Sequence, residues 1–343
     1  MQSANRLALF DDTHGQPNWS QTGFPSRELD TDCSGLAEVL RDMGYDCAGV
    51  RPRLLSDRLS HPCLLVVPPP TGYYNPARQT WQPLTSSLFT PAEVRDILRF
   101  IDGGGRLLAF AYRFGDSFTR TNLRDLFALL GCRLNNDAVI DVTQLREIHP
   151  LQLHFETPRE VLPMSWSAEG VETVCWRPVA TFSILPTATV RPLALSPGGR
   201  CISFDCEQRR ISFQSWPIAV AGTMGRGRFI LLGGPHVFET GPFGLLGAAD
   251  NRRFLQNILG WLLNGEGGKL ETVPPGQEPE LAALHSLLDE QWRDVGQIEA
   301  TGRGEATVAF VERLLKETGV LKALAHAKAA VINKGIKSTY SVG

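Results

Sequence analysis

Apolar and polar positions along the 343-residue chain repeat with two different periods, and each change of period marks an element. Leu7 to Phe10 is a short apolar run that stops at Asp11-Asp12, which predicts a buried strand opening into a polar loop. Over 29–43 the spacing turns helical, with Leu36, Val39, Leu40 and Met43 on one face and Gly44 as the stop. Tyr45 to Val50 and Cys63 to Val67 predict two further strands, the second ended by Pro68-Pro69-Pro70. Thr90-Pro91-Ala92-Glu93 combines an N-cap threonine, a proline in the first turn and a glutamate three residues on, the pattern of a capping box. Val94, Ile97, Leu98 and Ile101 continue that helix to Gly103-Gly104-Gly105. Arg106 to Ala111 predicts a fourth strand, and Asn122 to Leu130 another helix with Gly131 as its stop.

This alternation predicts an α/β fold with a mainly parallel sheet and helices on both faces. Strands that are apolar throughout, rather than at every second position, are those buried on both sides. From about 138 to 220 the texture changes to short β-rich segments such as Val171 to Trp176, Ile202 to Phe204 and Ala219 to Ala221, separated by Pro and Gly. A β-rich insertion or an extension of the sheet is expected there. The α/β pattern resumes with a turn at Gly225-Arg226-Gly227, a strand from Arg228 to Gly233 and a helix from Asn251 to Leu263. The first domain is thus expected to span 1–265. A Gly-, Pro- and Glu-rich linker is expected over 266–278, and a helical C-terminal appendage over 279–343. In that appendage Leu281, Leu284, Leu287 and Leu288 form one apolar stripe, and Val308, Val311, Leu314 and Leu315 another. Such a pair after a linker suits docking to a protein partner or self-association.

Composition narrows the function classes. A 43% hydrophobic, 20% charged chain has the makings of a packed core. A formal charge of −2 gives no global field towards nucleic acid, so no nucleic acid partner is expected. No run approaches the roughly 18–20 apolar residues of a membrane span. The opening residues lack the apolar core of a signal peptide. The seven cysteines are scattered and none has CxxC spacing, which reads as reduced thiols in a cytoplasmic protein rather than a zinc site. No cofactor and no metal are expected; the aspartates and histidines lack HxH or HExxH spacing.

Three segments carry a resemblance. The first is Leu9-Phe10-Asp11-Asp12-Thr13-His14-Gly15, the second Gly104-Gly105-Arg106 through Tyr112. The third is Gly225 through His236 followed by Asp250 through Leu262. In this order and spacing the chain resembles the class I glutamine amidotransferase-like superfamily, on the branch of the ThuA-like proteins and the GIFT domain of intraflagellar transport. The resemblance covers roughly residues 5–265 without the β-rich part. It implies a flavodoxin-like three-layer sandwich. Catalytic members carry a nucleophilic cysteine on a G-x-C-x-G turn after a central strand, completed by a later His and Glu. The matching turn here reads Ala111-Tyr112-Arg113-Phe114-Gly115, which places Tyr112 where the nucleophile cysteine would be and leaves that cysteine absent. A phenol with a pKa of about 10 is a poor nucleophile at neutral pH. His236 and Glu239 match the later pair, although their spacing departs from the family's H-P-E.

In open parallel sheets ligands bind beyond the carboxyl ends of the strands. Asp11, Asp12, His14, Tyr73, Tyr112, Arg113 and His236 all fall at such ends and form the expected ligand-binding set. Structural roles compete: Asp11 or Asp12 as a loop cap, Tyr112 as core, Arg113 paired with Asp116 on the surface. Two long rim loops, 11–28 and 68–89, bring Trp19, Phe24, Tyr73, Tyr74 and Trp81. The functional expectation is a pseudoenzyme: a non-catalytic protein that binds a small polar ligand or a partner, as a subunit of a larger assembly. The alternative is a hydrolase or isomerase using Asp11, His14, His236 and Glu239 as acid–base groups.

Overall fold

The computed structural model describes residues 6–11, 13–14, 33–50, 59, 64–69, 73–75, 80–82, 88–119, 121–141, 155–158, 162, 164–185, 189–196, 201–205, 210–212, 215–240 and 244–265. The expected linker and C-terminal helices, Asp12 and most of both rim loops lie outside these residues.

Chain order runs β1 (Leu7–Asp11), α1 (Ser34–Asp42), β2 (Asp46–Val50), β3 (Leu64–Val67), β4 (Tyr73–Asn75), β5 (Thr80–Gln82), α2 (Pro91–Asp102) and β6 (Arg106–Phe110). There follow α3 (Gly115–Thr119), α4 (Leu123–Leu129), β7 (Cys132–Leu134), β8 (Asp137–Asp141), β9 (Phe155–Pro158), β10 (Thr173–Trp176) and β11 (Phe182–Ile184). The last are β12 (Val190–Leu195), β13 (Cys201–Asp205), β14 (Arg210–Ser212), β15 (Pro217–Met224), β16 (Gly227–Leu232), a 3-10 turn at His236–Phe238 and α5 (Asn251–Asn264).

A seven-stranded sheet in the order β12-β15-β16-β6-β3-β1-β2 forms the centre. Five neighbours, β2-β1-β3-β6-β16, pair in parallel. Counted in chain order, those five stand 2-1-3-4-5, the flavodoxin-like arrangement with its switch point between β1 and β3. The antiparallel β15 and β12 extend one edge. The β-rich stretch is therefore split. Two of its strands lengthen the central sheet, while β8, β13 and β14 form a separate three-stranded sheet and β9–β10 and β7–β11 form ribbons.

Alternate strand residues feed two cores. Ala8, Phe10, Leu108, Phe110, Ile230 and Leu232 pack with α1 and α5. Leu9, Leu65, Leu107, Ala109, Phe229 and Leu231 pack with α2 and α4. The result is the three-layer sandwich that two-sided apolar strands require.

Helix starts show how the frame is tied. α2 keeps its capping box: Thr90 Oγ1 accepts from Glu93 N–H while the Glu93 carboxylate accepts from Thr90 N–H. The Asn122 side chain makes no cap bond for α4 and instead brackets the backbone of Phe89, accepting from its N–H at 2.9 Å and donating to its oxygen at 3.0 Å. Asp250 likewise makes no cap bond for α5; its carboxylate accepts from the N–H groups of Glu172 and Thr173. What holds α5 is burial of Phe254, Leu255, Ile258, Leu259 and Leu262, each contributing roughly 1.5–3 kcal/mol over exposure. Asn251, fully buried, completes the joint: its amide pairs with both Cys175 N–H and Cys175 O and donates to Leu245 O at 2.7 Å.

Two measurements check this joint. Asn251→Ala strands three buried backbone groups and should lower the unfolding free energy by about 3 kcal/mol in denaturant titration. Asp250 is held below the usual carboxylate range by the Thr173 and Glu172 N–H groups. Its contribution is complete above an ordinary aspartate pKa near 4 and is lost as pH falls through its lower folded value. The melting-temperature gap between wild type and Asp250→Asn should therefore be constant from neutral pH down to about pH 4 and shrink below it.

Candidate functional site

The carboxyl ends of β1, β6 and β16 carry two histidine–carboxylate pairs. Asp11 closes β1 on the same face as Leu9, towards α2, and is fully buried. Its Oδ1 accepts from Thr13 N–H at 2.9 Å and from the Thr13 hydroxyl at 2.6 Å, an Asx turn that reverses the chain. Its Oδ2 stands 2.5 Å from His14 Nδ1. The His14 ring, 2% exposed, stacks on Phe89 with centroids 3.9 Å apart, and its Nε2 points at Glu93 Oε1, 3.6 Å away. Glu93 is thus shared between the cap of α2 and the far side of His14.

The second pair lies on the opposite face of the sheet. After β16 the chain makes Gly233-Gly234-Pro235 and the 3-10 turn, and His236 Nδ1 meets Glu239 Oε2 at 2.6 Å. His236 is 5% and Glu239 1% exposed. Tyr112, 4% exposed, meets the His236 ring in a T-shaped contact with centroids 5.6 Å apart. The Arg113 guanidinium lies over Tyr112, 5.0 Å from the ring centroid. Phe238 extends the contact inward to Phe110 and Phe254. Tyr112 and His236 are in direct ring contact, not separated by a solvent-filled cleft.

The turn joining β6 to α3 carries two consecutive left-handed residues, Phe114 at φ 61° and Gly115 at φ 52°. A bulky residue with positive φ is rare and needs its surroundings to hold it there. The strained position is Phe114, two residues beyond Tyr112, and its side chain is buried. Asp116, expected on the surface with Arg113, turns inward: it accepts from the Thr121 hydroxyl at 2.7 Å and Arg124 N–H at 2.8 Å. Burial pushes its carboxyl above the ordinary range, against the pull of those two donors.

Of the sequence-derived set, the structure brings Tyr112, Arg113 and His236 together and keeps Asp11 with His14. The four acid–base candidates fall into two pairs, Asp11–His14 and His236–Glu239. Tyr73 has its backbone in the β4–β5 hairpin, and its side chain lies outside the described residues, as does Asp12. Three participants escaped sequence reading. Glu93 was visible only as a cap, and Phe89 and Asp137 were not singled out. An aspartate on the first position of an apolar strand was the available signal for the last. Among the described residues no group of three or more His, Cys, Asp or Glu is placed to hold a metal ion. Among the same residues no helix is long and apolar enough to cross a membrane.

Comparison with known proteins finds no matching family model and no matching curated protein. Solved structures do match. The mmIFT52 N-terminal domain superposes with a TM-score of 0.55 at 20% identity, covering 76% of this chain and 98% of that one. The cytoplasmic protein STM1381 from Salmonella typhimurium LT2 gives a TM-score of 0.45 at 14% identity over 75% and 99% of the two chains. A ThuA-like protein from Bacteroides uniformis gives 0.39 at 12% identity over 78% and 96%. At these identities the likeness is one of fold.

Glu93 offers a clean test of the shared contact. Glu93→Gln preserves a side chain that can return to the Thr90 N–H, whereas Glu93→Ala loses it. Thermal unfolding should place Glu93→Ala about 1 kcal/mol below Glu93→Gln, the value of a lost cap.

Proposed function

We propose that this chain is a non-catalytic binding protein built on a degenerate amidotransferase-like domain of the ThuA-like and GIFT branch, and that it serves as a cytoplasmic subunit of a larger assembly. The observation that carries the reading is the contact of Tyr112 with His236. A histidine whose Nδ1 is held by a buried carboxylate offers Nε2 to whatever stands opposite, the geometry by which a general base activates a nucleophile. The aromatic ring packed against this imidazole is the buried phenol of Tyr112. The strained residue of the turn is a phenylalanine, which has nothing to deprotonate. The described thiols do not substitute: Cys33, Cys132 and Cys175 are buried, burial pushes Cys132 up to about 12, and the half-buried Cys47 thiol is also raised by burial.

In this reading Tyr112, Arg113 and His236 form the inner part of a recognition surface for a small polar ligand or a partner. Arg113 is half-buried and keeps its guanidinium at the rim, where it suits a polar or anionic group. The fold likeness to the mmIFT52 domain, and the resemblance of the sequence to the GIFT domain, favour an assembly subunit over a free-standing enzyme. The stripes at 281–288 and 308–315 are the proposed docking elements.

Two experiments test the proposal. A glutamine-derived chloromethyl ketone should leave the native protein unlabelled at pH 8, and a panel of amides and esters should show no turnover that His236→Ala removes. Labelling of any cysteine, or turnover lost in His236→Ala, would defeat the non-catalytic reading. Truncation after residue 278 should abolish association, read by light scattering as fewer copies per particle; an unchanged number of copies would remove the C-terminal segment from the assembly.

A further inference from the structure

The turn after β6 and the turn after β16 are the two halves of the Tyr112–His236 contact, and a single residue reaches towards both. Asp137, the first residue of β8, is 3% exposed. Its main-chain oxygen accepts from Phe114 N–H at 2.7 Å, pinning the left-handed turn. The adjacent Asn136 amide oxygen and Asn135 carbonyl crowd Gly115 so closely that a Cβ there would stand 2.7 and 2.8 Å from them. The Asp137 carboxylate accepts from Thr181 N–H at 2.8 Å and from the Thr181 hydroxyl at 2.6 Å. The hydroxyl of Ser203, on β13, donates to the same carboxylate. Thr181 in turn continues the segment that supports the second turn. Ala180 N–H donates to Gly233 O at 3.0 Å, and Val179 lies so close to Gly234 that a Cβ there would stand 2.8 Å from Val179 Cγ1. His236 follows two residues later.

We infer that Asp137 is a positioning residue for the rim, and that the three-stranded sheet β8–β13–β14, acting through Ser203, fixes the distance between Tyr112 and His236. A buried carboxylate must be satisfied by donors, and charge-assisted bonds of this kind are the stronger ones. Its three donors come from two separate strand segments, so it closes the β-rich region onto the exits of two central strands. The β-rich region is then part of the rim's construction and not an independent decoration. The inference holds whether the rim recognises a partner or handles a substrate, because it concerns the spacing of the side chains.

Long-range proton–nitrogen spectra of the full chain labelled at its seven histidines test it directly. His236→Gln and His14→Gln assign the two rings of interest. Ser203→Ala and Thr181→Val each remove one donor to Asp137 and leave its main-chain bond to Phe114. Both should displace the His236 ring resonances, leave those of His14 in place, and Ser203→Thr should restore the wild-type positions. If both variants lower the melting temperature while His236 stays unmoved, Asp137 is a scaffold residue only and the inference is overturned. Equal displacement of His14 and His236 would overturn it as well, since that pattern reports a general loosening.

Discussion

Parallel strands buried on both faces, as β1, β3, β6 and β16 are, leave no room for polar side chains along their length, so everything chemically distinctive is pushed to their ends. The rule is obeyed closely. In β1, β3 and β6 the residues between the first position and the carboxyl end are apolar and buried, and β16 is so from Phe229 on, after Arg228 at its second position. Asp11 is the last residue of β1, and Arg106 the first of β6. The cost of placing a charge within the two-layered core would exceed what a single hydrogen bond returns. The rim is therefore the place where a ligand or partner meets polar groups, and its composition is set by what each strand carries just beyond its end.

The sheet also separates what its ends collect. Asp11 and His14 lie on the α2 face, His236 and Glu239 on the α1–α5 face, and each imidazole has its Nδ1 taken by its own carboxylate. In a low-dielectric setting such pairs are held rigidly, because loosening one leaves a buried polar group unmet. The His14 pair is tied further into the fold through Glu93 and the stacking of Phe89. Its work is to join the end of β1 to the start of α2 at the switch point. The His236 pair is the one that meets Tyr112, over which Arg113 lies.

Much of the frame was legible in the sequence, and the reason is physical. The apolar runs at Leu7 to Phe10 and Arg106 to Ala111 leave little choice but two-sided strands, and Thr90 with Glu93 marks a helix start by local bonding alone. Signals of that kind depend on neighbours in the chain. What stayed hidden depends on distant partners. Asn122 stands ahead of α4 yet serves Phe89, 33 residues away, and Asp250 stands ahead of α5 yet serves Glu172 and Thr173. Strands as short as β7 and β11, three residues each, carry too few positions for a period to show. The polar rim residues could be named from their places after strands, but their grouping into two pairs on opposite faces follows from strand alternation continued past Asp11 and Phe110. That alternation can be read from sequence only once the strand ends are known to the residue.

The left-handed turn after β6 brings these threads to one point. Holding a phenylalanine and a glycine in succession at positive φ costs of order 1–3 kcal/mol and persists only where the surroundings fix it. Here they do: Gly115 N–H returns to Tyr112 O, Phe114 N–H is held by Asp137, and Thr119 bonds back to Gly115 O. This turn carries no thiol. It is held by bonds within itself and into α3, and by a long-range bond to Asp137 on β8. What the strain maintains is a shape. That shape is the seating of Tyr112 against His236 with Arg113 above it, a fixed surface with an aromatic floor and a cationic lip.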